Sequence, residues 1–579
     1  MKYLERISPG RIYFVIFCYS LLACVLITRL AYLQLIEGSR YAEKAKKNIV
    51  AYLYEPAPRG IIFDRKNIPL VQNEHCWDLY FYKGNKKQLN LAIKDLSSVI
   101  DDPLLKTAAY RLEQQPSFEP LLLLTDLSEQ QLGSISYMVY DRPFLTLKNR
   151  SIRTYPYYNI CAHIIGYTQP QKVLRFNHEH PSAERAITGI EKACDHQLRG
   201  KPKVIAVDKT ARQLIVQSTE LKPSEPGDDI HLTLDIQLQA IAYKILESFN
   251  VVGSIVALDP RSGEILVAVS YPSYNPELVR SQPLIYNQDS RLPLFFRALN
   301  GLYPPASLVK PILGLAALEE GLITTQTTLV DPGYYQLKGY PQRFHDWKKH
   351  GHGEVNLKKA IAQSCDTFFY SLGDQLGIDV MSDWFARFGF GKDFNLPISQ
   401  KTGILPSKQW KMTYFKESWY PGESVLTAIG QGYFSSTPLH LSYAAALLAS
   451  KGTTPLPSLI LNQATQSHED YFGSVQYWNV IHEAMDAVIT STHGTAHRRL
   501  AKFNLPIIGK TGTAQVVSHQ KAQLDLQTHL DHSLFMAFAP KKNPTIALAV
   551  VVEHQNCATD IAGAFFNELV AQNFLSKDE

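Results

Sequence analysis

Tyr303-Pro304-Pro305-Ala306-Ser307-Leu308-Val309-Lys310 is the stretch whose reading decides this chain. Each proline biases the residue before it away from helix, so 303–306 reads as extended. Ser307 then opens a helix through Leu313, Leu315 and Leu318 to Gly321, and Pro311 fits only its first turn. Ser307 and Lys310 are three residues apart on one face of that turn, so the amine can reach the hydroxyl. A serine is a poor nucleophile unless a base stands beside it. A helix start adds N–H groups and a positive dipole end where an oxyanion would develop. For Lys310 to act as base it must be neutral, a state that burial and a neighbouring cation favour. Alone, the pair is better read as a plain capping serine with a surface lysine.

Two further strings change that balance. Ser364-Cys365-Asp366 lies between helical patterns at Leu357–Gln363 and Thr367–Leu376. A hydroxyl there can relay a proton between a lysine amine and a leaving group; its plain alternative is a helix cap. Lys510-Thr511-Gly512-Thr513 follows Pro506-Ile507-Ile508 and precedes Ala514 to Val517, which places it on a strand. Lys510 supplies a cation for a carboxylate and the threonines supply hydroxyl donors. Gly512 lets a substrate backbone approach closely. In this order and at these distances, the three strings describe an acyl-serine site.

A chain of 579 residues exceeds one core, so at least two domains are expected. A net charge of +5 is small for this length and is no nucleic-acid signature. Lys2, Arg6 and Arg11 precede an apolar run from Ile12 to Ile27, closed by Arg29. Basic residues before the run keep a short tail inside and export the rest. Leu21-Leu22-Ala23-Cys24 resembles a lipoprotein cleavage box, but the apolar run continues past it, so a retained anchor is expected. Seven cysteines, an odd number, leave at least one unpaired in an oxidising compartment.

The expected organisation is a tail at 1–11, an anchor at 12–28, a pedestal domain at 29–225 and a catalytic domain at 226–579. The segment from Ala51 to Leu221 mixes short strands and polar helices, with no convergent set of titratable residues. Lys222-Pro223-Ser224-Glu225-Pro226-Gly227 marks the boundary. Beyond it come two hairpins, 254–258 with 264–269 and 534–539 with 546–552, and a terminal helix at 561–574. Strands first, helices in the middle, then strands and a helix predict an α+β domain with one antiparallel sheet closed by both ends.

From about Asp228 onward the chain resembles the transpeptidase domain of class B penicillin-binding proteins. Arg59-Gly60-Ile61-Ile62-Phe63-Asp64-Arg65, Arg153-Thr154-Tyr155-Pro156 with His163 to Tyr167, and Gly189-Ile190-Glu191 with Leu198-Arg199-Gly200 resemble their pedestal motifs. Within the class, Tyr303 to Ser307, Asp346-Trp347-Lys348-Lys349 with Gly351-His352-Gly353, and Asp366 to Tyr370 resemble the elongation group, penicillin-binding protein 2. Asp366 is usual in that group, where most of the superfamily has Asn. The chain departs at Ala306, where Gly is commoner, and in its short length.

The resemblance implies a bacterial inner-membrane protein with a periplasmic catalytic domain that cross-links peptidoglycan stem peptides and is trapped by β-lactams. Ser307 would attack D-Ala-D-Ala, Lys310 would be the base, and Ser364, with Lys510 nearby, would protonate the leaving amine; Asp366 completes the catalytic set. Lys510, Thr511 and Thr513 would hold the terminal carboxylate beside Gly512. A SEDS-family glycosyltransferase and other elongation-complex proteins would be partners, and carboxypeptidase activity a side reaction. A β-lactamase, a division-type transpeptidase and a non-catalytic scaffold that activates a glycosyltransferase are the alternatives.

Asp331, Asp346, His352 and Cys365 offer one sulfur, one nitrogen and two carboxylates, a plausible tetrahedral Zn2+ set. Spacing alone favours the plain reading of capping aspartates, a surface histidine and a small buried cysteine. The resemblance raises the structural zinc site to equal standing, since relatives carry one on matching residues.

Overall fold

A computed structural model describes residues 9–81, 86–114, 120–170, 184–209, 215–462, 472–515 and 530–576. Lys2 and Arg6 of the tail, and Val516 and Val517 after the third motif, lie outside the described residues. The first helix spans Pro9–Ala31, and the continuous apolar helical stretch reaches Ile36 with none of its spanning window buried. It exceeds the expected 12–28 because helical geometry passes through Arg29 and the apolar Leu30–Leu35. At 28 residues it is long enough to cross a membrane, which takes about 20. None of the seven cysteines is in a disulfide.

In the pedestal region, the long strand Pro69–Phe81 pairs with Leu121–Leu127 and Leu145–Thr154. A separate sheet joins Val50–Glu55, Lys203–Lys209 and Ile215–Lys222. Here the structure corrects the expectation of no convergent titratable groups. Glu191, fully buried, accepts from Arg59 Nη2 at 2.8 Å and from Arg153 Nε at 2.6 Å, while Arg59 Nη1 reaches Asp195 at 2.7 Å. Glu191 lies 132 positions from Arg59 and 38 from Arg153, so linear spacing could not show them together. Burying such charges is costly unless each is paired, and this network pairs them. The residues are those of the pedestal motifs, so the motifs serve mutual neutralisation in a core.

Five strands form the central sheet of the second region: β1 (Gly253–Leu258), β2 (Ile265–Tyr271), β3 (Ile508–Ala514), β4 (His532–Ala539) and β5 (Ile546–Val552). Their order is β2-β1-β5-β4-β3, antiparallel throughout, so the early and late strands of this region meet at β1 and β5 as the sequence predicted. Every residue of β1 and β5 is buried, so both sheet faces are covered. Ile236–Phe249, Ala558–Ala571 and Pro438–Ala449 provide that cover. The last is buried at all 12 positions, including His440 and Ser442, as suits a largely apolar helix.

The helices that carry the site pack beside edge strand β3. They are α1 (Lys310–Glu319), α2 (Leu357–Gln363), α3 (Asp366–Arg387) and α4 (Val475–Thr490). Gly314 sets the closeness of α1 and α2, because a Cβ there would lie 2.8 Å from Leu357 Cδ1. That approach brings the first two motifs within side-chain reach.

Candidate active site

Ser307 sits in a short 3-10 turn, Ala306–Val309, that feeds α1, rather than at the start of the α-helix itself. The preceding segment is extended as expected, with Tyr303 exchanging two 2.9 Å backbone hydrogen bonds with Ser436. Ala306 has φ +50°, the left-handed region that costs a side chain about 1–2 kcal/mol. Its N–H donates to Gly430 O at 2.9 Å, which holds the turn. A glycine would take this conformation without strain, which accounts for its commonness there among the proteins this stretch resembles.

Lys310 is fully buried, and all of its polar partners belong to the second motif. Its Nζ donates to Asp366 Oδ1 at 2.6 Å, Ser364 O at 2.9 Å and Ser364 Oγ at 3.2 Å. Among the described residues the half-buried Ser307 hydroxyl has no hydrogen-bond partner, so the expected direct Ser307–Lys310 bond is absent. Catalytic bonds of this kind commonly tighten only with substrate bound. Lys510, also fully buried, donates to Ser364 Oγ at 3.0 Å and to Thr511 O at 2.9 Å. Burial, then the charge of Lys310, push the Lys510 amine well below its usual range. Asp366 lies beside Lys310, while among the described residues no carboxylate hydrogen-bonds to Lys510.

The backbone explains why Ser364 can serve both amines. It caps α2 in the left-handed conformation, φ +57°, and so turns its side chain between the two lysines. Gly512 plays a part the sequence did not indicate: a Cβ there would lie 3.1 Å from Leu308 Cγ. Leu308 follows Ser307 directly, so Gly512 lets the third motif rest against that turn. Thr511 is half-buried and Thr513 exposed on the same face of β3, open to a ligand. Gln431 was not singled out from the sequence, yet its Nε2 donates to Thr513 O at 3.2 Å. The glycines flanking it, Gly430 and Gly432, were the available signal.

Asp331, Asp346, His352 and Cys365 also come together, with all four buried and their ligand atoms within 4.8 Å of one another. His352 Nδ1 lies 2.8 Å from Asp331 Oδ2 and 3.5 Å from Asp346 Oδ1, and Cys365 Sγ is 3.5 Å from Asp331 Oδ2. Burial, then Asp346, push the Cys365 thiol up. Burial alone would raise the Asp331 carboxyl, but N–H groups of Gly333 and His352 hold it below its usual range. Asp346 Oδ2 accepts from the backbone N–H of Asp366 at 2.7 Å and of Thr367 at 3.1 Å, tying the cluster to the start of α3.

Three motifs brought together beside a five-stranded antiparallel sheet define a penicillin-binding transpeptidase architecture. The family profile "Penicillin binding protein transpeptidase domain" matches residues 253–571, and "Penicillin-binding Protein dimerisation domain" matches 54–232. The chain is 34% identical over 568 residues to the peptidoglycan D,D-transpeptidase MrdA of Escherichia coli K12, covering 92% of this chain and 89% of that one. It is 33% identical over 597 residues to MrdA of Acinetobacter baumannii, covering 97% and 88%. Among solved structures it is similar to the penicillin-binding protein 2 of Helicobacter pylori in complex with MreC, at 27% identity and TM-score 0.78 over 91% of this chain and all of that one. It is also similar to Pseudomonas aeruginosa penicillin-binding protein 2, at 31% identity and TM-score 0.65 over 90% and 96%. The chain belongs to the class B penicillin-binding proteins, in the penicillin-binding protein 2 group.

Proposed function

We propose that this chain is a serine-type peptidoglycan D,D-transpeptidase that cross-links stem peptides during cell elongation. The observation that carries the reading is the convergence of two buried lysine amines, one of them three residues after Ser307, on Ser364 Oγ.

Lys310 becomes a base by passing its proton through the Ser364 hydroxyl to neutral Lys510. Ser307 Oγ then attacks the D-Ala-D-Ala carbonyl carbon while its proton moves to Lys310. The N–H groups of Ser307 and Thr513 receive the oxyanion. The C–N bond breaks as Ser364 protonates the departing D-alanine amine and is resupplied from the lysine pair. An amine of a neighbouring stem attacks the resulting ester, gives up a proton along the same route, and releases Ser307. Lys510, Thr511 and Thr513 hold the terminal carboxylate beside Gly512, and Asp366 holds Lys310 in place. Water in place of the amine gives carboxypeptidase side activity, and a β-lactam leaves the acyl-enzyme trapped.

Asp331, Asp346, His352 and Cys365 are proposed to hold a structural Zn2+. Two carboxylates and a thiol converge in a buried site, a donor set that calls for a cation, and His352 Nε2 is buried without a hydrogen-bond partner. The ion would neutralise these ligands and fix the loop at 331–352 to the backbone of the second motif. The helix from Pro9 is proposed as a single inner-membrane anchor with the remainder in the periplasm, following the basic residues before it. Partners of the elongation-complex kind fit the complex with MreC in the Helicobacter pylori relative, and a SEDS-family glycosyltransferase is proposed as a further one.

Release of D-alanine from a synthetic stem pentapeptide by the purified chain tests the reading. Release by the wild type, lost in Ser307→Ala, supports it. A wild type that releases none, yet stimulates a glycosyltransferase, would establish the scaffold reading instead.

A further inference from the structure

Thr495 lies outside all three motifs, in the loop that leaves α4. Its Oγ1 is 2.7 Å from Thr511 Oγ1. The loop is held from two sides. Thr495 N–H donates to Ala362 O at 3.2 Å, two residues before Ser364, and Ala496 N–H donates to Val488 O at 3.0 Å in α4. Gly494 makes the turn possible, since a Cβ there would meet Val488 O at 2.3 Å. The Thr495 hydroxyl is therefore set against Thr511 by backbone anchored to the second motif.

A hydroxyl has one proton and two acceptor sites. If Thr511 gave its proton to Thr495, none would remain for a carboxylate. If Thr495 donates, the Thr511 proton is free, and accepting a hydrogen bond makes Thr511 a better donor. Thr495 Oγ1 has no other hydrogen-bond partner among the described residues, so nothing else claims its proton. We propose that Thr495 is a positioning residue for the substrate's terminal carboxylate: it donates to Thr511 Oγ1 and leaves the Thr511 proton aimed at that anion. The inference rests on the transpeptidase reading of the site and adds a specificity device to it.

The test compares second-order acylation of the full-length protein by benzylpenicillin and by its methyl ester, which lacks the anion. Thr495→Val should slow acylation by the acid about tenfold, the scale of one hydrogen bond to a charged group, and change the ester rate by less than about twofold. Thr495→Ser should restore the preference for the acid. Equal loss with acid and ester would make Thr495 merely structural, and unchanged rates with both would remove any role; either overturns the proposal. A wild type that the acid does not acylate contradicts the transpeptidase reading itself, and the inference falls with it.

Discussion

Lys310 and Lys510, two hundred residues apart in the chain, donate to the same oxygen: Ser364 Oγ lies 3.2 Å from one Nζ and 3.0 Å from the other. Only Lys310 has a carboxylate beside it, Asp366 Oδ1 at 2.6 Å. Burial and the neighbouring charge of Lys310 push the Lys510 amine well below its usual range.

Lys310→Ala should abolish acylation by penicillin, and loss below about tenfold, roughly 1.4 kcal/mol of barrier, would exclude it as the base. Lys510→Arg is the more discriminating change. A guanidinium keeps a cation for the substrate carboxylate but cannot become neutral. Acylation should fall about a hundredfold or more if Lys510 takes part in proton transfer. Retained rates would leave Lys510 with carboxylate binding alone.

The left-handed Ala306 makes an opposite pair of expectations. Ala306→Gly relieves strain of about 1–2 kcal/mol and costs about 0.5–1 in unfolded-chain entropy, so denaturant unfolding should show stabilisation of up to about 1 kcal/mol. Gly430→Ala should destabilise sharply, because Gly430 has φ +70° and a Cβ there would lie 2.3 Å from Ala306 O. Stabilisation by the second substitution would refute this account of the turn.

Elemental analysis of purified protein should give close to one zinc per chain. Cys365→Ser should lower that content, lower the melting temperature and slow acylation, although it removes no reacting group. Its neighbours Ser364 and Asp366 carry the chemistry, and the ion would steady their backbone. Zinc-free protein with full activity and unchanged melting would return the four residues to capping and packing.

Two buried histidines set an acid limit on stability. Burial pushes His163 and His440 down to about 4. His163 Nε2 donates to Pro293 O and His440 Nε2 to Lys392 O, each as the neutral ring. Unfolded, both titrate near 6.5, so their contribution is complete above that pH and is lost as pH falls toward about 4. The melting temperature should drop across that window, and His440→Gln should flatten part of the drop. An unchanged profile in the variant would show that His440 does not carry it.

The sheet was legible because its strands are apolar, short and separated by clear turns, and because Pro304 and Pro305 announce where Ser307 emerges. The three motifs announced the site's chemistry. The shared oxygen did not: it depends on the left-handed Ser364, which nothing local in Ser364-Cys365-Asp366 requires. The contact of Gly512 with Leu308 was hidden for the same reason, since Leu308 reaches it only through the fold. Thr495, Gln431 and the Arg59–Glu191–Arg153 network were hidden by sequence distance. Pairings that span from 16 to 132 residues leave no periodicity to read.

The most direct measurement is intact-mass spectrometry of the full-length protein after benzylpenicillin, followed by peptide mapping. One covalent adduct, located on Ser307 and lost in Ser307→Ala, is the predicted result. An adduct that persists in Ser307→Ala, or one mapped to another residue, would contradict the account.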